Sequence, residues 1–303
     1  MIAADYDYLR KFLQERCGLV LSADKQYLVE SRLLPVARRA GLAGISDLVN
    51  RLRVPSLKSL AQQVVEAMTT NETFFFRDKI PFEHFRDIIM PRHLATRASR
   101  RRLRIWCAAA SSGQEPYSLA MSLSEMGDRL AGWRIEIVAT DISLEVLDKA
   151  RSGLYSHFEV QRGLPIALLL KYFAQIGESW QIAGAIRAMV DFRPLNLLGD
   201  FAQLGTFDVV FCRNVLIYFD QATKSRVLER LAQVMDRDAY LVLGAAETVV
   251  GLTDRLRPVA EHRGLYMPSA AAVEPLNGKV GPKPRDFSQV KPRPALRVVA
   301  GVN

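Results

Sequence analysis

Two acidic side chains follow short apolar segments that are typical of buried strands. Glu115 comes after Leu103–Cys107 and a run of small residues that includes Gly113, and Asp141 ends the segment Ile135–Asp141. Small residues let the backbone approach a ligand closely. A carboxylate at the end of a second strand can accept hydrogen bonds from both ribose hydroxyls. This spacing favours a nucleotide-like cofactor, although a plain strand-to-helix turn and a helix-capping Asp141 remain open from these residues alone.

The turn before Glu115 also restricts the kind of cofactor. Gly113 stands alone, so the G-x-G-x-x-G pattern that cradles a pyrophosphate is absent from this turn. A helix that begins near Pro116 suits a polar or charged ligand group. A cofactor without phosphates fits better, and S-adenosylmethionine is one. Glu115 is then placed to meet its ammonium or ribose groups.

A third polar segment follows the buried-strand pattern Phe207–Cys212. Arg213 and Asn214 come directly after it, at the point where the strand order of an α/β sheet should reverse and where ligands bind. Tyr218 lies about one helical turn further on and can face the same crevice. Phe219, by contrast, is expected to pack in the core.

The elements that must position these groups alternate between strand and helix over residues 81–267. Strands are predicted at 103–107, 135–140, 190–192, 207–212, 239–243 and 264–267, and helices at 116–127, 144–150 and 221–235. This alternation predicts an α/β fold with a doubly wound, parallel, Rossmann-like sheet. Residues 152–195 break the pattern and are interpreted as an insertion with a small antiparallel β subdomain.

Residues 1–70 are predicted to form a small all-α domain. Helical spacing of apolar residues runs to Gly18, and a second helix is expected from Ser22 toward Arg39, with a kink or break at Pro35. Further helices are expected from Ser46 and from about 55 to 69. The segment 71–80, with three consecutive Phe residues at 74–76, is interpreted as a linker that packs on the sheet.

Composition limits the class of protein. The chain has 303 residues, of which 49% are hydrophobic, and a net charge of +9. No apolar run approaches the roughly 20 residues of a membrane span, and no signal peptide is recognised, so we expect a cytoplasmic protein without direct membrane insertion. Three separated cysteines and four scattered histidines predict no metal site. Six prolines and six Lys or Arg in 268–303 predict a disordered basic tail.

Four segments in series then resemble the signature motifs of the CheR methyltransferases, which esterify glutamates on chemotaxis receptors. They are Asn71-Glu-Thr-Phe-Phe-Phe-Arg-Asp78, Gln114-Glu-Pro-Tyr-Ser118, Ala139-Thr-Asp-Ile-Ser143 and Cys212-Arg-Asn-Val-Leu-Ile-Tyr-Phe219. They occur in the family's order, and the resemblance covers roughly residues 5–267. It implies a class I S-adenosylmethionine methyltransferase fold with S-adenosylhomocysteine as the product.

The resemblance also implies site residues. The cofactor would be bound by Asn71, Thr73, Arg77, Glu115, Asp141, Asn196, Leu197, Arg213 and Asn214, and Arg77 and Tyr218 would lie nearest the transferred methyl. Gln114 replaces the family's usual first Glu, whereas Glu115 is retained. The loop near Gly177 is shorter than in relatives that bind a receptor's C-terminal pentapeptide, so we predict no tight pentapeptide binding.

The expected partners are the acidic cytoplasmic helices of methyl-accepting chemotaxis receptors, bound by a monomer. Lys25, Arg32 and Arg39 are spaced by seven and share one face if their helix is continuous, which makes them a candidate docking surface. A solvated helix face is the alternative. The cluster from Arg97 to Arg104 is interpreted as a solvated loop, with contact to nucleic acid or a nucleotide as the alternative. A nucleic-acid methyltransferase and a non-catalytic receptor-array adaptor are the rival functions, and no recognisable nucleic-acid module supports the first.

Overall fold

The computed structural model describes residues 1–54 and 57–269. The expected start of a helix at Pro55-Ser56 lies outside this part of the chain, as does the predicted basic tail apart from residues 268 and 269. Within the described ranges, no helix is long and apolar enough to cross a membrane.

Four helices form the N-terminal domain. They are α1 (Ala3–Cys17), α2 (Gln26–Arg39), α3 (Ile45–Leu52) and α4 (Lys58–Met68). Gly18 ends α1 in the left-handed conformation, with φ of 77°, as the sequence predicts. The possible break at Pro35 does not occur, because α2 continues through it with the ring on the exposed side of the helix. The four helices enclose a core of their own, which includes Leu13, Leu33 and Leu48.

The helices of the second domain begin directly after the linker. They are α5 (Ile80–His84), α6 (Met90–Thr96), α7 (Gln114–Glu125), α8 (Leu144–Ser152), α9 (His157–Gln161), α10 (Ile166–Tyr172), α11 (Gly184–Arg187) and α12 (Gln221–Gln233). A π-helical turn, Phe85–Ile89, joins α5 to α6. No helix was predicted for residues 80–96.

The strands are, in chain order, β1 (Arg102–Ala108), β2 (Arg134–Asp141), β3 (Leu154–Ser156), β4 (Phe173–Ile176), β5 (Ser179–Ile182), β6 (Val190–Pro194), β7 (Phe207–Cys212), β8 (Met235–Leu243), β9 (Leu256–Pro258) and β10 (Leu265–Pro268). Seven of them form one sheet in the order β6-β2-β1-β7-β8-β10-β9. Strands β3, β5 and β4 form a separate antiparallel sheet inside the insertion, as predicted.

β1 and β7 are parallel neighbours at the centre of the main sheet, and the order in which the chain adds strands reverses between them. From β1 the chain builds outward to β2 and β6, and from β7 it builds the other way to β8. The doubly wound sheet is therefore confirmed, with its ligand crevice expected beyond Ala108 and Cys212, which pair at the ends of these two strands.

The far edge of the sheet departs from the parallel prediction. β10 pairs antiparallel with both β8 and β9, and β9 was not predicted. A parallel return needs a crossover of a dozen or more residues, usually a helix, whereas residues 244–255 form turns. The chain therefore returns antiparallel at this edge.

Both faces of the sheet are covered by apolar side chains. Ile105 and Cys107 of β1 belong to the cluster that packs under α7, while Trp106 and Ala108 belong to the cluster that packs under α12. This alternation explains why the central strands are continuous apolar runs in the sequence.

The predicted solvated loop at Arg97–Arg104 is wrong for its first and last members, since Arg104 lies in β1, is 15% exposed and pairs with Glu136. The guanidinium of Arg97 is 2% exposed and donates to Asp208 at 2.6 Å and to Asp238 at 2.5 Å. Arg100 contacts Asp208 at 2.8 Å. These aspartates come from the starts of β7 and β8, so strand pairing brings to the basic segment an acidic partner that is distant in sequence.

Candidate active site

A cleft lies at the switch point of the sheet, beyond the ends of β1 and β7. All ten predicted cofactor and catalytic residues line it: Asn71, Thr73, Arg77, Glu115, Asp141, Asn196, Leu197, Arg213, Asn214 and Tyr218. Residues of the N-terminal domain, Cys17 and Leu19, also line the cleft and were not predicted. The sequence motifs therefore converge on one cavity that both domains and the linker enclose.

Asp141 holds the turn that follows β1. Its carboxylate accepts hydrogen bonds from the backbone amides of Ser111 at 2.8 Å and Ser143 at 3.0 Å. Burial raises the pKa of Asp141, and these amide donors oppose that shift. Ser111 Oγ donates to the carbonyl of Asn71 at 2.8 Å. The linker is thus attached to the turn from which a cofactor would be held.

The single glycine of this turn is required by packing. Gly113 has φ of 93°, and a Cβ there would lie 2.9 Å from Ala150 Cβ and 3.2 Å from Tyr155 Oη. Ala109 and Ser111 also have positive φ. The turn is therefore tight because helix α8 and strand β3 press against it, and it leaves no row of glycine amides for a pyrophosphate.

Glu115 and Arg213 form a buried ion pair in the wall of the cleft. Arg213 Nη1 donates to Glu115 Oε2 at 2.7 Å, and the two side chains are 1% and 11% exposed. Arg213 Nη2 donates to Asp78 Oδ2 at 2.7 Å and to the carbonyl of Arg77 at 2.8 Å. Burial raises the pKa of the Glu115 carboxyl, and Arg213 is the largest influence in the opposite direction.

Arg77 lies half-buried at the linker side of the cleft. Its Nη1 donates to the carbonyl of Glu72 at 2.7 Å, and its guanidinium lies 5.6 Å from the centre of the Phe74 ring. Arg162 of the insertion lies 4.4 Å from the centre of the same ring and pairs with Glu72 at 2.6 Å. The insertion therefore packs directly on the segment that carries Arg77.

The wall formed by Asn214–Tyr218 is shaped by a carboxylate that the sequence analysis missed. Glu247, 8% exposed, accepts backbone amides from Gly244, Asn214, Val215 and Leu216. Asn214 itself has φ of 58°. One signal was available: Glu247 follows the predicted strand 239–243, and loops that follow parallel strands emerge at the same edge of a sheet.

The N-terminal domain closes one side of the cleft through direct hydrogen bonds. The Val20 amide donates to the carbonyl of Tyr218 at 3.0 Å, and Asn196 Nδ2 donates to the carbonyl of Arg16 at 2.6 Å. Phe219 is buried in the core as predicted, and a Cβ on Gly18 would lie 2.8 Å from its ring. The domain is consequently part of the cavity wall.

A second missed contact fixes helix α4 to the sheet. Glu66 Oε1 accepts the amide of Leu144, at the start of α8, at 2.8 Å, and Gln62 Nε2 donates to the carbonyl of Ile142 at 2.9 Å. An acidic group at a helix N-terminus is electrostatically favourable. This contact places the linker, which follows α4, beside Asp141.

The candidate docking residues differ in their surroundings. α2 is continuous, so Arg32 and Arg39 share a face, and Lys25 lies in the helical turn just before it. Arg39 is exposed, whereas Arg32 Nη1 donates to the carbonyls of Met68 at 2.8 Å and Thr69 at 3.2 Å. Arg32 therefore also caps α4, and it adjoins Thr69 and Thr70 in the cleft lining.

Comparison with known proteins is decisive for the family. Residues 71–265 match the model of the CheR methyltransferase, SAM binding domain, and residues 4–69 match that of the CheR methyltransferase, all-alpha domain. The chain belongs to the CheR methyltransferase family. The expected fold class, cofactor and methyl transfer in chemotaxis adaptation are therefore confirmed.

Relatives match over most of their length. A chemotaxis protein methyltransferase of Vibrio parahaemolyticus is 40% identical over 264 residues, which are 86% of this chain and 95% of the relative. Chemotaxis protein methyltransferase 1 of Pseudomonas aeruginosa is 44% identical over 262 residues, 84% and 94% of the two chains. The chemotaxis protein methyltransferase of Escherichia coli is 36% identical over 257 residues, 83% and 87% of the two chains.

The cleft suits the cofactor of the CheR family. S-adenosylmethionine carries an ammonium group, a ribose diol and a sulfonium, and the cleft provides buried carboxylates at Glu115 and Asp141. The turn has a single glycine, Gly113, and so lacks the glycine pattern that cradles a pyrophosphate. The donor set and the shape of the cleft thus agree with a cationic cofactor that lacks phosphates.

Proposed function

We propose that this chain transfers the methyl group of S-adenosylmethionine to glutamate side chains of chemoreceptors, giving glutamyl methyl esters. The observation that carries the proposal is the convergence of the ten predicted residues on one cleft, from the linker, the start of α7, the end of β2 and the segments after β6 and β7. In this proposal Glu115 binds the cofactor's ammonium and Asp141 its ribose. Asn71, Thr73, Asn196, Leu197, Arg213 and Asn214 complete the pocket.

The bound cofactor supplies an activated methyl group on a sulfonium. The glutamate of the receptor is already ionised at neutral pH, because an ordinary Glu pKa is about 4.3, so the chain needs no general base. What its residues must do is align the carboxylate with the methyl group and exclude water. Such alignment can contribute roughly 7–11 kcal/mol to the barrier reduction.

Arg77 and Tyr218 are proposed to orient the incoming carboxylate. The two side chains come from different segments, the linker and the loop after β7, and line the same cleft. Arg77 is only half-buried, and its cation contacts the Phe74 face. A partly exposed cation stabilises a carboxylate less than a fully buried one, so Arg77 can guide the substrate carboxylate without holding it too firmly as the charge of that carboxylate is neutralised.

Acidic receptor helices are proposed to approach along Lys25, Arg32 and Arg39. This face leads to the cleft, because Arg32 touches the end of α4 and the first linker residues. Reversing the charge of Arg39 should slow association with receptors and weaken its salt dependence. Arg38→Glu, which changes an exposed neighbouring position by the same charge, is the matched control.

Tight binding of a receptor C-terminal pentapeptide is not proposed. The connection from β4 to β5 has only two residues, Gly177 and Glu178, which agrees with the short loop expected from the sequence. Isothermal calorimetry should detect no micromolar affinity for such a peptide. Micromolar binding would overturn this part of the proposal.

The decisive experiment supplies tritiated S-adenosylmethionine to chemoreceptor membranes and, separately, to nucleic acid. Label should enter the receptors and be released as volatile methanol by alkali, since esters hydrolyse in alkali and N-methyl groups do not. Arg77→Ala should lower the rate at least tenfold. Arg86→Ala, an exposed arginine outside the cleft, should leave it unchanged. Base-stable label, or label only in nucleic acid, would refute the proposal.

A further inference from the structure

We propose that Glu247 is a positioning residue for methyl transfer, which sets the Asn214–Tyr218 wall of the cleft from behind. The inference rests on the proposed roles of Asn214 and Tyr218. Glu247 does not itself line the cleft. Its effect on the reaction is therefore transmitted through the backbone that it binds.

The carboxylate is saturated by backbone donors from two loops. Oε2 accepts the amides of Gly244 at 2.7 Å and Asn214 at 2.8 Å, and Oε1 accepts those of Val215 at 2.9 Å and Leu216 at 2.7 Å. Three of these four donors belong to the segment that follows β7. A buried anion that accepts several charge-assisted hydrogen bonds fixes the direction of each donor.

The segment needs such a partner because its backbone is unfavourable by itself. Asn214 has φ of 58°, in the left-handed region, and the next residues turn into a short 3-10 helix, Leu216–Tyr218. The first amides of a helix have no partner within the helix. Glu247 supplies that partner, and the direction of the short helix determines where Tyr218 lies.

The loop after β8 leaves no room for another arrangement. A Cβ on Gly244 would lie 2.9 Å from Asn214 Nδ2, 3.0 Å from the Asn214 amide nitrogen and 2.8 Å from Glu247 Oε2. Gly244 does not have a positive φ. Close approach therefore requires this glycine, and the two loops fit together as one unit behind the cleft.

A buried carboxylate at the start of β7, Asp208, offers a matched control. Asp208 is 6% exposed, against 8% for Glu247, and it accepts the amide of Arg104 and the guanidinium of Arg97 at the opposite end of β7. It lies outside the cleft lining. Asp208→Asn therefore tests the loss of a buried acid without a change in the catalytic wall.

The experiment compares Glu247→Gln with Asp208→Asn for melting temperature, calorimetric Kd of S-adenosylmethionine, and kcat on chemoreceptor membranes well below both melting temperatures. Both variants should have a lower melting temperature than the wild type. Gln places an NH2 group opposite amide donors, so Glu247→Gln should lower kcat or raise the cofactor Kd at least tenfold, while Asp208→Asn stays within about twofold of wild type in both. Glu247→Gln within about twofold of wild type in both quantities would overturn the proposal.

Two further variants cover the case in which Glu247→Gln does not fold. Gly244→Ala retains the carboxylate but presses on Asn214, and Glu247→Asp retains the charge on a shorter side chain. At least one of them should lose kcat or cofactor affinity tenfold, and wild-type values in both would refute the role of this contact. Failure of the wild type to methylate receptors would refute the proposed function instead, and the Kd values would still decide the role of Glu247.

Discussion

The buried pair of Glu115 and Arg213 gives the sharpest energetic prediction. The change is Arg213→Met, which retains much of the apolar stem and removes the cation. It leaves the Glu115 carboxylate without its partner in a site where Glu115 is 11% exposed and Arg213 1% exposed. Removing one member of such a pair costs about 3–5 kcal/mol, and we expect the free energy of unfolding to fall by that amount.

The share that belongs to the pair itself can be isolated by a double-mutant cycle with Glu115→Gln. A hydrogen bond to a charged group contributes about 1.5–3 kcal/mol. Arg213→Met also loses the contacts to Asp78 and to the carbonyl of Arg77. We therefore expect the double variant to be about 2 kcal/mol more stable than the sum of the single effects predicts.

The pH dependence of Arg213→Met tests the same reasoning. Burial raises the pKa of Glu115, and without Arg213 the carboxyl loses the strongest influence that lowers it. A group whose pKa is higher in the folded state stabilises the fold at low pH, and this contribution disappears as pH rises through the folded-state pKa. The penalty of Arg213→Met should therefore be larger at about pH 8 than at about pH 5.5.

Urea unfolding of the four proteins of the cycle at both pH values provides the measurement. A coupling energy near zero would show that the two charges do not support each other and would refute the energetic argument. A penalty that is unchanged or smaller at the higher pH would refute the assignment of the effect to the Glu115 charge. The cofactor Kd of Glu115→Gln should also rise roughly 10- to 100-fold if Glu115 binds the ammonium group.

Two other predictions concern the supports of the site. Gly163→Ala should lower the free energy of unfolding by about 1–3 kcal/mol more than Gly177→Ala. Both glycines have positive φ, but of the two only Gly163 has a neighbour that an added Cβ would meet, the carbonyl oxygen of Phe75 at 2.1 Å. Equal losses of stability in the two variants, measured by calorimetric melting, would contradict this. Burial is the largest cause that lowers the pKa of His93 to about 4, and the charge of Arg97 adds to it. The free energy of unfolding of the wild type should therefore decrease by up to about 3 kcal/mol as pH falls from about 6.5 toward 4, and His93→Gln should lack that decrease. Identical pH slopes of the two proteins in urea unfolding would refute the assignment to His93.

The sequence was most informative where one local pattern determines the structure. The strand predicted at 207–212 has the same bounds as β7, because a strand buried on both faces is a continuous apolar run. Glu115, Asp141 and Arg213-Asn214 were found for a related reason, whereas the linker residues of the cleft and Asn196-Leu197 were expected only from the resemblance to the CheR family. Polar side chains directly after buried strands of a doubly wound sheet lie at the carboxyl edge, so position in the sequence already implies position in space.

The features that sequence reasoning missed depend on partners that are distant in the chain. Arg97 is buried because the starts of β7 and β8 bring aspartates to it. Glu247 acts on a segment about 30 residues earlier. Residues 80–96 contain Pro81 and Pro91, and prolines argue against a helix in a sequence-based prediction. In the structure each proline lies in the first turn of a helix, Pro81 in α5 and Pro91 in α6, where proline is tolerated.

The attachment of the linker to the turn after β1 has a consequence for building chimaeras between relatives. Asn71 accepts the Ser111 hydroxyl, the Phe76 amide donates to Ser118, and Arg213 binds the Arg77 carbonyl and the Asp78 carboxylate. A junction between the two family domains, at residues 69–71, would therefore keep the linker and the cleft that it contacts from the same relative. A junction inside residues 71–78 would place part of the linker from one relative against the cleft of another, and these hydrogen bonds would then join residues of different sources. The exchangeable unit of this enzyme is the helical domain alone, provided that the recipient keeps the residues that receive its contacts.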